Sequence, residues 1–255
     1  MAQILYRKEG HIAYITLNNP SALNAINRDM VRELKVIWED IRDDNNIWVG
    51  ILNGEGKSFC SGADVKRMER GAWHIRESLI YGEERVSHTN YGLWKPLIAA
   101  VHRHAYGAGL MLAMESDFIV ASEDALFGIP EGKVNIPTLP TPFLCDFMPR
   151  CIANEMIYTG KPITAQRAYE LGMINRVVPK EDLLKVAEEM AHAMCEMGPL
   201  ANWASKELMW RTRNLSTEDT ITLIEHIATP AWNAEDSVEG KAAFKEKRKP
   251  QWKVK

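Results

Sequence analysis

The most constraining feature of the sequence is the order in which short apolar runs and helical patterns follow one another. Two β-rich runs, Ile4–Tyr6 and Ile12–Leu17, lie on either side of a Glu9-Gly10 turn and predict a hairpin. A helical pattern begins after the candidate capping residue Asn27, and a short buried strand follows at Trp48–Leu52. A strand, a helix and a further strand in this order predict a right-handed crossover with parallel pairing. This part of the chain therefore predicts an α/β fold.

The alternation continues along the chain and then gives way to helices. Strands are predicted at Pro96–Val101 and Phe118–Ala121, with a helix at Leu110–Met114 between them. Further helices are predicted around Ser78–Asn90 and over Glu181–Met197, Leu200–Arg213, Thr217–Ala228 and Ala234–Lys247. These last helices carry more apolar surface than one small layer hides, which favours packing on a neighbouring copy of the chain.

Composition places the 255 residues among ordinary globular proteins, since 46% are hydrophobic and 25% charged. A net charge of −3 argues against a general nucleic-acid coat protein. No run approaches the roughly 18 apolar residues of a membrane span, and charges interrupt the apolar runs near the start, so no signal peptide is expected. The four cysteines form no CxxC pair, which favours a reduced cytoplasmic setting.

Most short catalytic motifs are absent from the sequence. It contains no GxSxG elbow, no phosphate-binding GxxxxGK[ST] loop and no HExxH, and Gly107-x-Gly109 lacks the third glycine of a dinucleotide fingerprint. His102-x-His104 would place two imidazoles on one face of a strand. No third ligand at a telling spacing accompanies them, so no metal site is predicted.

Three segments contain small residues and a carboxylate from which an active site can be built. They are Ser58–Asp64, then Lys95–Val101 with the following Gly107-Ala108-Gly109 turn, and Ala125–Glu131. Small residues let backbone N–H groups approach a ligand closely, and helix N-termini aim those groups at negative charge. Two such turns can form an oxyanion hole with Glu131 as the nearest base. From these residues alone, ordinary tight turns of an α/β sheet are the alternative.

In this order and spacing, the three segments resemble the enoyl-CoA hydratase/isomerase (crotonase) family. The similarity extends from about Ile4 to Trp252 and includes the closing 243–250 stretch. The resemblance implies an α/β fold with a crotonase-like spiral core of ββα repeats and a helical C-terminal region. It also implies an acyl-CoA-binding core over residues 1–195, a trimerisation region over residues 196–255, and a homo-oligomer that is a trimer or a dimer of trimers.

The same resemblance implies roles for individual residues. The two oxyanion-hole amides fall on Ala63 and Ala108. The two-glutamate hydratases have carboxylates at the positions of Met111 and Glu131 in this chain. Because a thioether cannot carry a proton, Glu131 is expected to be the single acid/base. The family's usual Asn-Gly is replaced here by His102-Arg103.

The substrate is expected to be an acyl-CoA thioester, and coenzyme A is part of it, so no separate cofactor is predicted. The resemblance implies substrate contacts at Ala63, Asp64, Val65, Lys66, Ala108, Met111, Phe244 and Lys247. Between Lys241 and Lys255 there are seven basic residues and one acid, a pattern that suits the phosphates of CoA. A solvated helix end is the alternative. The family's glycine-rich turn is replaced at 138–142, near the expected acyl pocket, so the acyl chain stays open.

The family's common chemistry is stabilisation of a thioester enolate by two amides. With Met111 in place, the pattern favours one-base proton transfer by Glu131, of the double-bond isomerisation type. Hydration through Glu131, alone or with His104 or Tyr106, stays open, as do decarboxylation and carbon–carbon cleavage through the same enolate. From another functional class, a non-catalytic acyl-CoA or RNA binder on the same scaffold is the alternative.

Overall fold

A computed structural model describes residues 2–64, 86–137 and 141–255. The predicted substrate residues Val65 and Lys66 lie outside the described residues, as does most of the helix predicted around Ser78–Asn90. The end of that predicted helix is a short 3₁₀ helix, His88–Tyr91.

The strands of the described residues form two sheets. In chain order they are β1 (Ile4–Glu9), β2 (Ile12–Leu17), β3 (Val49–Gly54), β4 (Leu97–Val101), β5 (His104–Tyr106), β6 (Phe118–Ser122), β7 (Leu126–Gly128), β8 (Ile163–Thr164) and β9 (Arg176–Val178). The larger sheet has the order β1-β2-β3-β4-β6-β9, and the smaller has the order β5-β7-β8. The predicted β1–β2 hairpin and the parallel β2–β3 pairing are both confirmed.

From β4 to β7, successive strands alternate between the two sheets. β4 and β6 pair in parallel in the larger sheet, while β5 and β7 pair in parallel in the smaller one. Over these four strands the chain therefore passes from one sheet to the other and back. This arrangement agrees with the spiral of ββα repeats that the resemblance implies.

The described helices are α1 (Arg28–Asp43), α2 (Ala108–Glu115), α3 (Arg150–Thr159), α4 (Ala165–Glu170), α5 (Leu183–Cys195), α6 (Pro199–Arg211), α7 (Thr217–Asn233) and α8 (Glu235–Glu246). The predicted cap of α1 is confirmed, because the Asn27 side chain accepts a hydrogen bond from the Met30 amide at 3.0 Å. None of the helices in the described ranges combines the length and apolar character that crossing a bilayer requires.

The larger sheet is buried on both faces. On one face Ile51 and Ile98 pack with Ala187 of α5. On the other, Leu52 and Ala99 belong to a core cluster that includes Trp38 of α1. Strands covered on both faces are apolar at every position, which explains the continuous Leu97–Val101 run of β4.

Helix α7 is longer than the sequence predicts. The predicted helix ends at Ala228, whereas α7 continues through Pro230 to Asn233. A proline removes one backbone donor and disfavours a helix interior, yet α7, which packs along α6, continues past it. The predicted division of the chain after residue 195 falls between α5 and α6 and stays a prediction.

Candidate active site

Two backbone segments lie side by side at the junction of the sheets. Cys60 forms a parallel bridge with Ala105, and the Tyr106 amide donates to the Cys60 carbonyl at 3.0 Å. Three residues further along each segment come the two predicted oxyanion positions, Ala63 and Ala108. The pairing therefore places Ala63 and Ala108 at equivalent positions of two adjacent segments.

The amides of Ala63 and Ala108 are both available to a ligand. Ala63 bridges Ile26 in parallel, a pairing that uses the Gly62 carbonyl and the Asp64 amide and turns the Ala63 N–H away from Ile26. Ala108 is the first residue of α2, where an amide has no partner inside the helix. Over the described part of the chain, neither amide donates a hydrogen bond to the protein. Both residues are half-buried, so the amides are not sealed in the core.

Glu131 lies directly against the turn that precedes the second amide. β7 pairs with β5 in parallel, and the Gly107 amide donates to the Gly128 carbonyl at 3.0 Å, so the ends of these strands meet at one edge. A Cβ added to Gly107 would overlap Oε1 of Glu131 and lie 2.8 Å from its Cδ. The carboxyl group thus contacts the backbone of Gly107, next to the Ala108 amide. Gly107 has φ +49°, and any side chain there would displace the carboxyl.

The Glu131 carboxyl is desolvated and incompletely hydrogen-bonded. Its Oε2 atom is buried and has no hydrogen-bond partner among the described residues. Burial raises the pKa of the Glu131 carboxyl, and the residue's own backbone N–H offsets part of that rise. A buried carboxyl that has one oxygen without a partner and lies beside an unpaired amide is a candidate general acid/base.

Met111 follows Ala108 by one turn of α2. Its amide donates to the Gly107 carbonyl at 3.0 Å, and its side chain is half-buried. Residues three apart share a helix face, so Met111 lies on the same face of α2 as Ala108. Its role as a wall of the acyl pocket stays a prediction.

His102 and His104 do not form a pair of ligands. Arg103 between them has φ +57°, which interrupts the strand and ends the alternation of side chains. His102 Nε2 lies 3.1 Å from the Gly56 carbonyl, whereas His104 Nδ1 lies 3.2 Å from Ser58 Oγ. No group of three or more metal-ligating side chains occurs within residues 2–64, 86–137 and 141–255.

His104 and Tyr106 share one face of β5, with ring centroids 4.9 Å apart. Burial and the nearby Arg103 charge lower the pKa of the His104 imidazole, so the ring is neutral near pH 7. In the described ranges, no hydrogen bond joins either side chain to Glu131. Their participation in hydration therefore stays untested.

Phe244 and Lys247 lie at the end of α8. Phe244 is 89% exposed, and Lys247 ends the helix with φ +55°. Within the part of the protomer that is described, no hydrogen bond or ion pair connects them to Glu131, Ala63 or Ala108. Their predicted contact with CoA therefore stays a prediction for a site shared between copies of the chain.

The contact between Gly107 and Glu131 was not visible in the sequence. Gly107 appears there as the first residue of a small-residue turn, and Glu131 comes 24 residues later after a separate strand. The positive φ of Gly107 and the pairing of β5 with β7 create the contact. An apolar run ending in a glutamate, Phe127–Glu131, was the only local signal.

Comparison with known proteins identifies the family. The family model described as enoyl-CoA hydratase/isomerase matches residues 7–255. The (E)-benzylidenesuccinyl-CoA hydratase of Thauera aromatica is 33% identical over 248 residues, covering 94% of each chain. The carnitinyl-CoA dehydratase of Salmonella arizonae is 35% identical over 256 residues, covering 96% of each chain. The crystal structure of an enoyl-CoA hydratase from Mycobacterium marinum superposes with a TM-score of 0.90 at 33% identity, covering 100% of both chains. The chain therefore belongs to the enoyl-CoA hydratase/isomerase family and has the crotonase fold.

Proposed function

We propose that the chain catalyses one-base proton transfer on an unsaturated acyl-CoA thioester, with Glu131 as the acid/base and double-bond isomerisation as the favoured reaction. The observation that carries this proposal is the Glu131 carboxyl against Gly107, with a buried and unpartnered Oε2. Met111, on the same helix face as Ala108, cannot exchange a proton. One carboxylate is sufficient for isomerisation, because the proton that it removes from one carbon is returned to another.

The proposed mechanism passes through an enolate. The thioester oxygen accepts hydrogen bonds from the Ala63 and Ala108 amides, which strengthen as negative charge develops on that oxygen. Because Ala108 is the first residue of α2, the positive end of the helix dipole adds to this stabilisation. Glu131 removes a proton from the acyl chain and returns it at the other end of the three-carbon unit. Burial raises the pKa of the Glu131 carboxyl, which makes Glu131 a stronger base toward the substrate proton.

Hydration or dehydration is the second candidate. Its support is that the relatives of Thauera aromatica and Salmonella arizonae are named a hydratase and a dehydratase. Water addition needs a held water and a proton donor, work that two carboxylates commonly share. In this chain the water would have to bind at the free Oε2 of Glu131. Glu131, alone or with His104 or Tyr106, would have to transfer the protons. Decarboxylation and carbon–carbon cleavage use the same enolate, but no observation favours them.

We further propose that the chain works as a homo-oligomer, a trimer or a dimer of trimers, in which Phe244 and Lys247 contact CoA. Large apolar side chains are exposed on the C-terminal helices: Met209 is 77%, Trp232 76% and Phe244 89% exposed. Large apolar side chains exposed in this number on neighbouring helices are typical of an interaction surface. Among the described residues, Lys247 has no ion pair, so its charge is available to a phosphate.

A mass-spectrometric screen of unsaturated acyl-CoAs in heavy water tests the proposal. Isomerisation moves the double bond without adding water, and deuterium enters the product when the Glu131 carboxyl exchanges its proton with heavy water before returning it. Hydration adds the mass of one water to the product. Deuterium incorporation without water addition is expected for at least one β,γ-unsaturated thioester. Water addition as the fast reaction would favour the second candidate, and CoA-thioester binding without turnover would favour a non-catalytic binder.

A further inference from the structure

The position of the first oxyanion amide depends on a short segment before α1. Ala63 pairs with Ile26, and the preceding Ser61 amide donates to the Leu23 carbonyl at 3.0 Å. Residues 23–26 therefore form the surface on which segment 59–64, which contains Ala63, lies. Any shift of this segment moves the Ala63 amide.

This segment has an uncommon backbone conformation. Leu23 and Asn24 are both left-handed, with φ of +51° and +56°. For residues other than glycine this conformation is strained, least so for asparagine, and it persists where the surroundings hold it. Side-chain contacts must therefore stabilise the two residues.

Asn24 supplies these contacts. Its side chain is completely buried, and its Oδ1 accepts a hydrogen bond from the Asn19 amide at 2.8 Å. Both hydrogens of its side-chain amide are donated to the turn at residues 55–58, which precedes segment 59–64. Nδ2 lies 2.9 Å from the Glu55 carbonyl and 2.7 Å from the Ser58 carbonyl. Asn24 thus connects the segment before α1 with the residues immediately before Phe59.

A second side chain holds the same turn from the opposite direction. His102, at the end of β4, is buried, and its Nε2 lies 3.1 Å from the Gly56 carbonyl. Its own carbonyl accepts from the Phe59 amide at 2.9 Å. The turn is thus attached to β4 by His102, and Asn24 attaches it to the segment before α1. Backbone hydrogen bonds join the following residues to the same segment, from the Ile26 amide to the Gly62 carbonyl and from the Asp64 amide to the Ile26 carbonyl, both at 2.8 Å.

We propose that Asn24 is a positioning residue for the oxyanion hole: its hydrogen bonds to the Glu55 and Ser58 carbonyls hold the Ala63 amide in line with the Ala108 amide. The inference rests on the proposed function, because it assigns the Ala63 amide to the substrate oxygen. Loss of one oxyanion donor costs about 10²–10³ in kcat, and a misplacement of about 1 Å can cost about 10². Removal of the Asn24 side chain should therefore lower kcat by about 10–100-fold.

The test compares Asn24→Gly with Asn175→Gly. Glycine adopts φ +56° without strain, so Asn24→Gly removes the hydrogen bonds while retaining the backbone conformation. Asn175 is a matched control, because its Oδ1 accepts from the Ile119 amide at 2.8 Å on β6, away from the site. For each variant we would measure unfolding, kcat and KM with the substrate found for the wild type, and hydrogen–deuterium exchange of the peptide covering 59–64.

The expected result is a 10–100-fold loss of kcat in Asn24→Gly, with KM changed by less than about 3-fold, and faster exchange in 59–64. Asn175→Gly should lose stability with kcat within about 2-fold of wild type, because its hydrogen bond does not touch the site. Equal kcat losses in the two variants, or unchanged kcat and exchange in a folded Asn24→Gly, would overturn the proposal. If Asn24→Gly does not fold, Asn24→Ser, whose hydroxyl can donate to one of the two carbonyls, is judged by the same criteria.

The exchange measurement separates this inference from the proposed function. If wild-type protein turns over no acyl-CoA, the proposed function fails. Hydrogen–deuterium exchange of residues 59–64 in Asn24→Gly still reports whether Asn24 holds that segment. Unchanged exchange would then reject the role of Asn24 independently.

Discussion

The Glu131 carboxyl lies next to the turn that precedes Ala108, and its Oε2 atom has no hydrogen-bond partner among the described residues. Glu131→Gln keeps the shape of the side chain and removes its basicity. Activity should fall by at least about 10²-fold, with acyl-CoA binding retained, because general-base catalysis contributes about 10²–10⁴-fold. Steady-state kinetics and calorimetric binding of CoA thioester check this. Turnover near the wild-type rate in Glu131→Gln would rule out the assignment.

The raised pKa of Glu131 also has a consequence for stability. A carboxyl whose pKa is higher in the folded state than its ordinary 4.5 stabilises the fold only while protonated, and this contribution is lost as pH rises through the raised pKa. Glutamine does not titrate. The free energy of unfolding of Glu131→Gln should therefore rise relative to wild type as pH increases from about 4.5. Denaturant unfolding between pH 4 and pH 8 measures the difference, and a constant difference would mean that the pKa is not raised.

Met111 occupies the same helix face as Ala108 and is the position at which the two-glutamate hydratases have a carboxylate. Met111→Glu should introduce or strengthen water addition, because a second carboxylate can hold water and deliver a proton. Product mass in heavy water gives the readout, and Met111→Gln, which is polar but cannot transfer the proton, is the control. If the wild type already hydrates quickly and Met111→Glu abolishes that activity, another group handles the water and isomerisation is the wrong assignment.

At the scale of whole elements, a buried lysine attaches α6 to the residues just before β4 and β6. The side chain of Lys206 is 8% exposed, and its Nζ donates to Asp117 Oδ2 at 2.6 Å, to the Lys95 carbonyl at 2.9 Å and to His88 Nε2 at 3.0 Å. Because His88 Nε2 accepts this hydrogen bond, the ring is neutral. Burial lowers the pKa of the Lys206 ammonium, and the Asp117 carboxylate opposes that change.

Lys206→Met should destabilise the protein by about 2–3 kcal/mol, because three acceptors lose their donor while the apolar stem is kept. Lys185→Met, at an exposed position of α5, is the control and should change stability by less than about 0.5 kcal/mol. Chemical denaturation of both variants gives the comparison. A loss for Lys206→Met no larger than the control would mean that the hydrogen bonds of Lys206 do not stabilise the attachment of α6.

Helices and strands with strong local signals were predicted correctly from the sequence. The β1–β2 hairpin and α1 follow from local features, namely a Glu9-Gly10 turn, a period of 3.6 and the Asn27 cap. The small sheet did not follow, because β5, β7 and β8 are two or three residues long and have no local period. Helix α7 continues past Pro230 to Asn233, although a proline disfavours a helix interior, so the predicted end at Ala228 was too early.

At the scale of the whole molecule, the basic C-terminal stretch is partly used within the chain. Arg248 pairs with Glu239 at 2.6 Å and with Glu246 at 2.7 Å, and Lys249 pairs with Glu196 at 2.8 Å. The seven basic residues counted in the sequence are therefore not all available to CoA. Lys247, which has no ion pair among the described residues, is the better candidate.

Lys247→Glu should weaken CoA binding by roughly 5-fold, because an exposed ion pair contributes up to about 1 kcal/mol. The salt dependence of binding should also decrease, since a lost ion pair no longer responds to screening. Calorimetry with CoA at low and high salt, with light scattering to establish that the oligomer persists, measures both effects. Lys185→Glu is the matched charge reversal on α5. Equal binding by both variants would leave Lys247 as a solvated helix end.

Residues close in the chain were sufficient to predict the α/β fold, most of the helices and, through the resemblance, the family. Periodicity, caps and turns depend on neighbours within a few positions, so they can be read from the sequence. The contact of Glu131 with Gly107 and the hydrogen bonds of Asn24 to a turn 31 to 34 residues away join distant segments. Such contacts exist only after strands have paired, because pairing sets which backbone groups face one another. The tertiary structure therefore decides which amides stay free for a substrate and which carboxyl is desolvated beside them.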